Sequence, residues 1–357
     1  MKVAFRVDAS QAMGTGHVYR CLALGSSLRG RGADVVFLTR RLGLRSADLI
    51  REAGFPVVEL PGPAGPPPED PLVPHAAWGG VPLALDAEET VERLRDLQPD
   101  WVVVDSYAFD ARWHGTVRRR LGARIAAIDD MADKAFAPDL LIDHNHAEDH
   151  RAKYEGRLSP ATPLLGGPRY ALLRPAFAEG PRYLPRDTVS SVGVFLGGVD
   201  RPNLSAVAVE ALARTGFAGE VEIVSTSANP HLAALRDAIA PRANVRLSLD
   251  LPDLAAFFAR HDLQIGAGGG STWERCCIGA PTLLLVTAVN QMAVAPELVR
   301  HGVVAGTDPL DTVDVAALAS ALSTLIGDPA RRRSLSEKSR ALVDGRGAER
   351  VAEEMLK

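Results

Sequence analysis

The chain has 357 residues, of which 46% are hydrophobic and 24% charged, and its net charge is −4. That length is long for a single core and fits roughly two globular domains of ordinary composition. The acidic balance gives no electrostatic footprint for nucleic acid or an anionic membrane, and the longest apolar runs are strand-length, too short to cross a bilayer. The three cysteines, Cys21, Cys276 and Cys277, form neither a CxxC pair nor a zinc spacing, as expected in a reducing compartment. Strand residues begin at Val3, so no secretory signal is expected and the reading is cytoplasmic, with no stable membrane insertion.

A short apolar strand, Val3 to Val7, runs into a loop holding Gly14, Thr15 and Gly16, with His17 directly after. Apolar residues at Val18, Cys21, Leu22, Leu24 and Leu28 predict a helix that Gly30 and Gly32 stop, and Asp34 to Thr39 reads as a second strand. This βαβ opening puts a glycine loop and a histidine at the carboxyl end of strand one, the edge where open α/β sheets bind ligands. Glycines there let a phosphate or sugar approach the backbone closely, but the third glycine of the dinucleotide fingerprint is missing. His17 fits a general base, since an imidazole titrates near neutrality, and equally a capping residue with no chemistry. Position alone leaves both open.

Arg45 to Ala53 predicts a helix and Pro56 to Leu60 a third strand. Pro61 to Asp86 is rich in proline and glycine and reads as a long loop inside one domain, because the strand and helix alternation resumes after it. His75 and Trp78 lie in it, where a substrate-covering role competes with simple mobility. Ala87 to Leu97 predicts a helix, and Trp101 to Val104 a buried strand delivering Asp105, Ser106 and Tyr107 at its end. After a helix over Arg112 to Arg120, Arg124 to Ile128 ends in Asp129 and Asp130, and Leu140 to Ile142 ends in Asp143, His144, Asn145 and His146. Three strands thus bring polar residues to the edge that carries His17, a stronger signal than any one of them. Asp105, Asp129 and Asp130 read equally as caps of helices or turns and rank below His17 and Tyr107. His144, His146 and His150 match no spaced metal motif, so they read as a solvated or substrate-facing loop and no metal is expected.

Beyond a linker-like stretch near Gly180 to Arg186 a new series opens, with a strand over Ser191 to Phe195, the turn Leu196-Gly197-Gly198-Val199-Asp200, and a helix over Leu204 to Thr215. Strands at Glu220 to Ser225, Val245 to Leu249 and Leu263 to Ile265 alternate with helices at Pro230 to Ala240 and Leu251 to Arg260. The loop Gly266 to Gly270, with Gly269 among its four glycines, leads to Ser271 and Thr272 at a helix start and Glu274 in the first turn. Exposed amides and hydroxyls at a helix start suit a diphosphate, and the carboxylate suits the two hydroxyls of a ribose; a tight turn with a dipole-favoured glutamate is the plainer alternative. A strand over Thr282 to Val286 delivers Asn290 and Gln291, and helices are expected near Met292 to Arg300, over Val313 to Leu325, and as one long piece over Ala330 to Met355. The expected domains are 1–176 and 177–330, both Rossmann-like, with 331–357 a terminal helix expected to pack back on the first.

Two Rossmann-like halves, each with a glycine loop, resemble the GT-B fold, an α/β architecture of two domains facing across a cleft. The segments FRVDASQAMGTGHVYRCLAL, VVVDSYAFD, AAIDDMADKAFAPDLLIDHN, GPRYALLRPAF, VFLGGVD and AGGGSTWERCCIGAPTLLL are more specific. They resemble the PseG-type UDP-2,4-diacetamido-2,4,6-trideoxy-β-L-altropyranose hydrolases of pseudaminic acid biosynthesis and their SpsG-like spore-coat-polysaccharide relatives. The glycine-rich C-terminal motif alone is shared with MurG-like transferases. The resemblance implies a cofactor-free, metal-independent hydrolase that cleaves the anomeric C–O bond of a UDP-sugar, water attacking C1 with inversion. It implies His17 as the base, with Gly14, Gly16, Arg20, Tyr107 and Asn145 at the sugar. It implies Gly197, Gly198, Gly269, Gly270, Ser271 and Thr272 at the diphosphate, with Glu274 at the ribose and Gln291 beside the UDP. The alternatives are a MurG-like inverting glycosyltransferase using the same donor and a non-catalytic nucleotide-sugar binder. The insertion at 61–86, Met13 and the His144-Asn145-His146 loop depart from the family pattern.

Overall fold

A computed structural model describes all residues except 308, 309, 311 and 312, and the side chains of 289 and 290. The chain divides into two compact units, Met1–Arg174 with Arg346–Lys357, and Pro175–Gly345.

The first unit runs β1 (Lys2–Val7), α1 (Gly16–Gly30), β2 (Asp34–Arg40), α2 (Ser46–Glu52), β3 (Val57–Leu60), a 3-10 turn (Ala76–Gly79), α3 (Leu83–Leu94), β4 (Trp101–Asp105), α4 (Ala111–Leu121), β5 (Arg124–Ile128), β6 (Leu140–Asp143), α5 (His150–Lys153) and β7 (Leu164–Gly166). The seven strands lie in the order β3-β2-β1-β4-β5-β6-β7, every pairing parallel. The order reverses between β1 and β4, where Val7 is in register with Asp105. Helices cover both faces, so the strands are apolar nearly throughout, as parallel sheets must be. Arg6 is the buried exception in β1. It is fully buried and bonds Asp8 and Asp86, each at 2.5 Å. Arg40 adds bonds to Asp86 (2.7 Å), Glu89 (2.6 Å) and the Pro61 carbonyl (2.9 Å). Burial alone would raise the Asp86 carboxyl, but the guanidinium of Arg6, with that of Arg40, holds it below its usual range. These bonds tie both ends of the 61–82 insertion to the sheet.

The second unit runs α6 (Pro175–Glu179), β8 (Ser191–Phe195), α7 (Leu204–Arg214), β9 (Glu220–Ser225), α8 (Leu232–Ile239), β10 (Val245–Leu249), α9 (Leu254–Arg260), β11 (Leu263–Ala267), α10 (Ser271–Ile278), β12 (Thr282–Leu285), α11 (Ala295–Arg300), β13 (Ala305–Gly306), α12 (Val315–Gly327) and α13 (Pro329–Leu342). Its six parallel strands follow the same pattern, β10-β9-β8-β11-β12-β13, reversing between β8 and β11.

Three expectations need correction. The long terminal helix is two helices, α13 and then α14 (Gly347–Met355). Gly345 breaks them at φ +86°, where a Cβ would lie 2.8 Å from Ala178 and 2.9 Å from the Cys277 sulfur. Helix α13 stays with the second unit, whereas α14 belongs to the first. There Val351, Ala352 and Met355 join the core, and the Trp101 indole donates to the Met355 carbonyl at 3.0 Å. The insertion is not loop to Asp86, because a 3-10 turn forms at Ala76–Gly79 and α3 starts at Leu83, four residues before the expected Ala87. The segment expected as a helix over 292–300 is a 3-10 turn (Val289–Ala293) followed by the short α11.

Candidate active site

In the first unit the predicted residues gather at the carboxyl ends of β1, β4, β5 and β6. Gly14, at φ +71°, closes the loop with its amide on the Ser10 carbonyl at 2.7 Å. Gly16 opens α1, and nothing lies within 4 Å of where its side chain would be. His17 is therefore the second helical residue and Arg20 follows one turn later on the same face.

The centre of the cluster is Asp105, buried at the end of β4. One carboxylate oxygen lies 2.6 Å from His17 Nδ1 and accepts from Arg20 at 2.6 Å; the other accepts from Arg20 Nε at 2.6 Å. Arg20 also approaches His17 Nδ1 at 3.1 Å, but the closer carboxylate needs a proton between itself and that nitrogen. Of the two neutral tautomers the contact therefore selects the one with the proton on Nδ1, and Nε2 has no partner among the described residues. Burial would raise the Asp105 carboxyl, but the Arg20 guanidinium and then His17 hold it well below the usual carboxylate range.

Around this core, Tyr107 meets the His17 ring edge-on at 4.9 Å and donates its hydroxyl to Asp130. Burial first, and Asp130 second, push the Tyr107 phenol up, so it stays a donor. The Asn145 amide donates to the other Asp130 oxygen at 2.6 Å. His144 Nε2 lies 3.4 Å from Arg20, and burial, with Arg20 next, pushes that imidazole down to about 3. His144 is only 4% exposed, which excludes the solvated half of the expectation that its loop is solvated or substrate-facing. His150 instead bonds the Asn145 carbonyl at 2.9 Å and supports the loop. Asp129 caps the turn beyond β5, accepting from the Met131 and Ala132 amides (2.9 Å each) and from Lys134 (2.6 Å). The insertion also joins the cluster. His75 and Trp78 lie 6.0 and 5.8 Å from the Tyr107 ring, and His75 pairs with Asp133 at 3.3 Å.

In the second unit the predicted residues flank the β8/β11 reversal. Gly197 takes φ +91°, and the Gly198 carbonyl accepts from Thr226 at 2.7 Å. Asp200 then spends both oxygens on the Leu204 and Ser205 amides at the start of α7 (2.9 Å each), so those donors are already filled. The start of α10 has no side-chain cap. Gly270 is exposed there with open space beside it, Gly269 is half-buried, and Ser271 and Glu274 are half-exposed. Thr272 is buried, and its hydroxyl donates back to the Ala267 carbonyl at 3.0 Å. Gln291 is held by Thr287 (2.8 Å to its amide) and packs against Gly268 and Gly269; the neighbouring Asn290 side chain lies outside the described residues.

Sequence reasoning ranked Asp105 and Asp130 below His17 and Tyr107, whereas the structure bonds Asp105 to His17 and Arg20 and Asp130 to Tyr107 and Asn145, and it did not weigh His144 as a buried neighbour of Arg20. The spacing of His17 and Arg20, three apart on a helix, was the available signal that one carboxylate could serve both.

No family model matches the chain. The fold is GT-B. The crystal structure of MurG from Acinetobacter baumannii superposes with a TM-score of 0.67 at 16% identity, over 100% of this chain and 99% of that one. By sequence, the chain is 24% identical to the spore coat polysaccharide biosynthesis protein SpsG of Bacillus subtilis, over 98% of this chain and 96% of that protein. It is 24% identical to the UDP-2,4-diacetamido-2,4,6-trideoxy-β-L-altropyranose hydrolase of Campylobacter jejuni, over 85% of this chain and 97% of that one. Among the described residues no helix is long and apolar enough to cross a membrane.

Proposed function

We propose that this chain is a UDP-sugar hydrolase that releases a deoxy-amino sugar and UDP, with UDP-2,4-diacetamido-2,4,6-trideoxy-β-L-altropyranose as the leading substrate. The likeness to the Campylobacter jejuni hydrolase supports the substrate class. The observation that carries the chemistry is the His17–Asp105 contact at 2.6 Å, which leaves Nε2 as the open basic nitrogen at the sheet's reversal point. In this reading Nε2 takes a proton from water as the water oxygen attacks C1. The C1–O bond breaks, its electron pair passing to the β-phosphate oxygen of UDP, and the anomeric centre inverts. Asp105 balances the imidazolium that forms, and Arg20 keeps the carboxylate ionised and aligned. Tyr107 and Asn145 line the sugar; the loop 266–270 with Ser271 takes the diphosphate, and Glu274 the ribose.

The likeness in fold to MurG supports a second reading, in which an acceptor hydroxyl replaces water and His17 deprotonates that instead. Incubation of the protein with UDP-sugars, followed by NMR, separates the two. Free sugar and UDP appearing in buffer alone support hydrolysis, whereas UDP release only on addition of an acceptor supports transfer. Under either reading His17→Ala should lower turnover by roughly two to four orders of magnitude while UDP affinity is unchanged. Undiminished turnover in that variant counts against His17 as the base.

A further inference from the structure

Arg275 occupies an unusual position beneath the glycine loop of the second unit. It is 1% exposed, and its guanidinium donates to the Ala267 carbonyl at 2.6 Å, to Ser271 Oγ at 3.0 Å and to Thr272 Oγ1 at 3.2 Å. Its Nε has no partner, and among the described residues no carboxylate forms an ion pair with it. The other deeply buried arginines are compensated. Arg6 and Arg40 meet Asp86, and Arg332 sits on the Leu325 and Ile326 carbonyls at the end of α12, the negative pole of that helix. Arg275 lies instead at the opening turn of α10, where the helix contributes positive potential. Burial pushes its guanidinium down to about 10, with Cys276 and Glu274 offsetting that only in part.

The glycines of the loop divide accordingly. At Gly266 a Cβ would lie 2.3–2.7 Å from the guanidinium, so this glycine makes room for Arg275. Gly270, with nothing within 4 Å of its would-be side chain, leaves the outer face of the loop open. Ser271 lies between the two. Its hydroxyl accepts from Arg275, so its own proton is directed away from the arginine, and the residue is half-exposed.

We propose that Arg275 is a positioning residue for a nucleoside diphosphate. It supplies the counter-charge from behind the loop and polarises the Ser271 hydroxyl, which donates to a phosphate oxygen. The proposal rests on the reading of the second unit as the UDP side. It predicts selectivity for the charged part of the nucleotide alone, since a buried cation that no carboxylate pairs with among the described residues gains its full compensation when the anion arrives.

The test measures UDP and uridine affinities of the full chain by calorimetry for the wild type, Arg275→Met, Arg275→Lys, Ser271→Ala and the double variant Arg275→Met/Ser271→Ala. Expected is a loss of UDP affinity on the order of 10- to 100-fold in Arg275→Met and about 10-fold in Ser271→Ala, the range of a charge-assisted hydrogen bond. Uridine affinity should be unchanged, Arg275→Lys should restore part of the loss, and the double variant should be little worse than Arg275→Met. A UDP-to-uridine ratio equal to wild type in Arg275→Met overturns the proposal, as does parallel weakening of both ligands. Should Arg275→Met fail to fold, wild-type UDP affinity in Ser271→Ala overturns it equally. A wild-type chain that binds no UDP overturns the nucleotide reading itself, a result distinguishable from all the others.

Discussion

Asp105 shows how much one side chain can organise. Its two oxygens serve His17 and Arg20 together, so the imidazole is fixed in tautomer and direction before any substrate arrives. Asp105→Asn keeps the shape but removes the charge and lets the amide donate toward Nδ1, favouring the wrong tautomer. Steady-state kinetics should show turnover lowered by about two to four orders of magnitude with UDP affinity intact, and a change under threefold would remove Asp105 from the mechanism. Buried histidines set a second property. Burial first, then Lys134 and Arg118, push His114 down to about 3, as burial does His144. Unfolded, both titrate near 6.5. Their folded values are depressed, so the unfolded chain binds more protons below that pH, and stability is lost as pH falls from about 6.5 toward 3. Thermal melting from pH 7.5 to pH 5 should show this decline. His114→Gln, whose carbonyl can still accept the Ala137 amide now at 3.3 Å from Nδ1, should flatten it.

At the scale of elements the 61–82 insertion is the long segment tied down at both ends. It is anchored at its start by Arg40 on the Pro61 carbonyl and at its end by Arg40 on Asp86, and it holds Trp78 beside the Tyr107 ring. Trp78→Ala should raise KM for the UDP-sugar several-fold and leave UDP affinity alone, measurable by turnover assays beside calorimetry; the reverse pattern would place Trp78 outside the sugar pocket. The strand–glycine–helix rhythm that frames both sites was legible in the residues, because apolar period and glycine punctuation are local properties. Strands β7 and β13, three and two residues long, were not legible, since so few residues carry no period. The triad of Asp105, His17 and Arg20 spans 88 positions, and only the folded sheet, with Val7 opposite Asp105, brings its parts together. Arg275 was invisible for a similar reason: a charged residue in a helix's first turns ordinarily reads as exposed.

Over the whole molecule, each unit has cores of its own. The clusters around β1 and β4 draw only on residues before 175 and after 345, and the cluster around β8 and β11 only on residues between. Hydrogen exchange during denaturation should therefore resolve two sets of protected amides. UDP should add protection to the loops at 196–199 and 266–272. Met355→Ala, which empties a fully buried site under α1, should destabilise the first set by about 2–5 kcal/mol and spare the second. Uniform loss across both sets would show that the cores are not energetically separate.

The return of α14 to the first unit has a consequence for synthesis. A ribosome makes β1 to β7 first, yet the surface of α1 and Trp101 that α14 covers stays bare until residues 347–355 emerge. All of Pro175–Gly345 is made in between and can complete its own core meanwhile. The older half of the nascent chain thus waits, apolar groove open, for its last helix. A frameshift or stop codon anywhere in 175–345 therefore damages the first unit as well as the second, and chaperone capture should be strongest for chains truncated just short of 347.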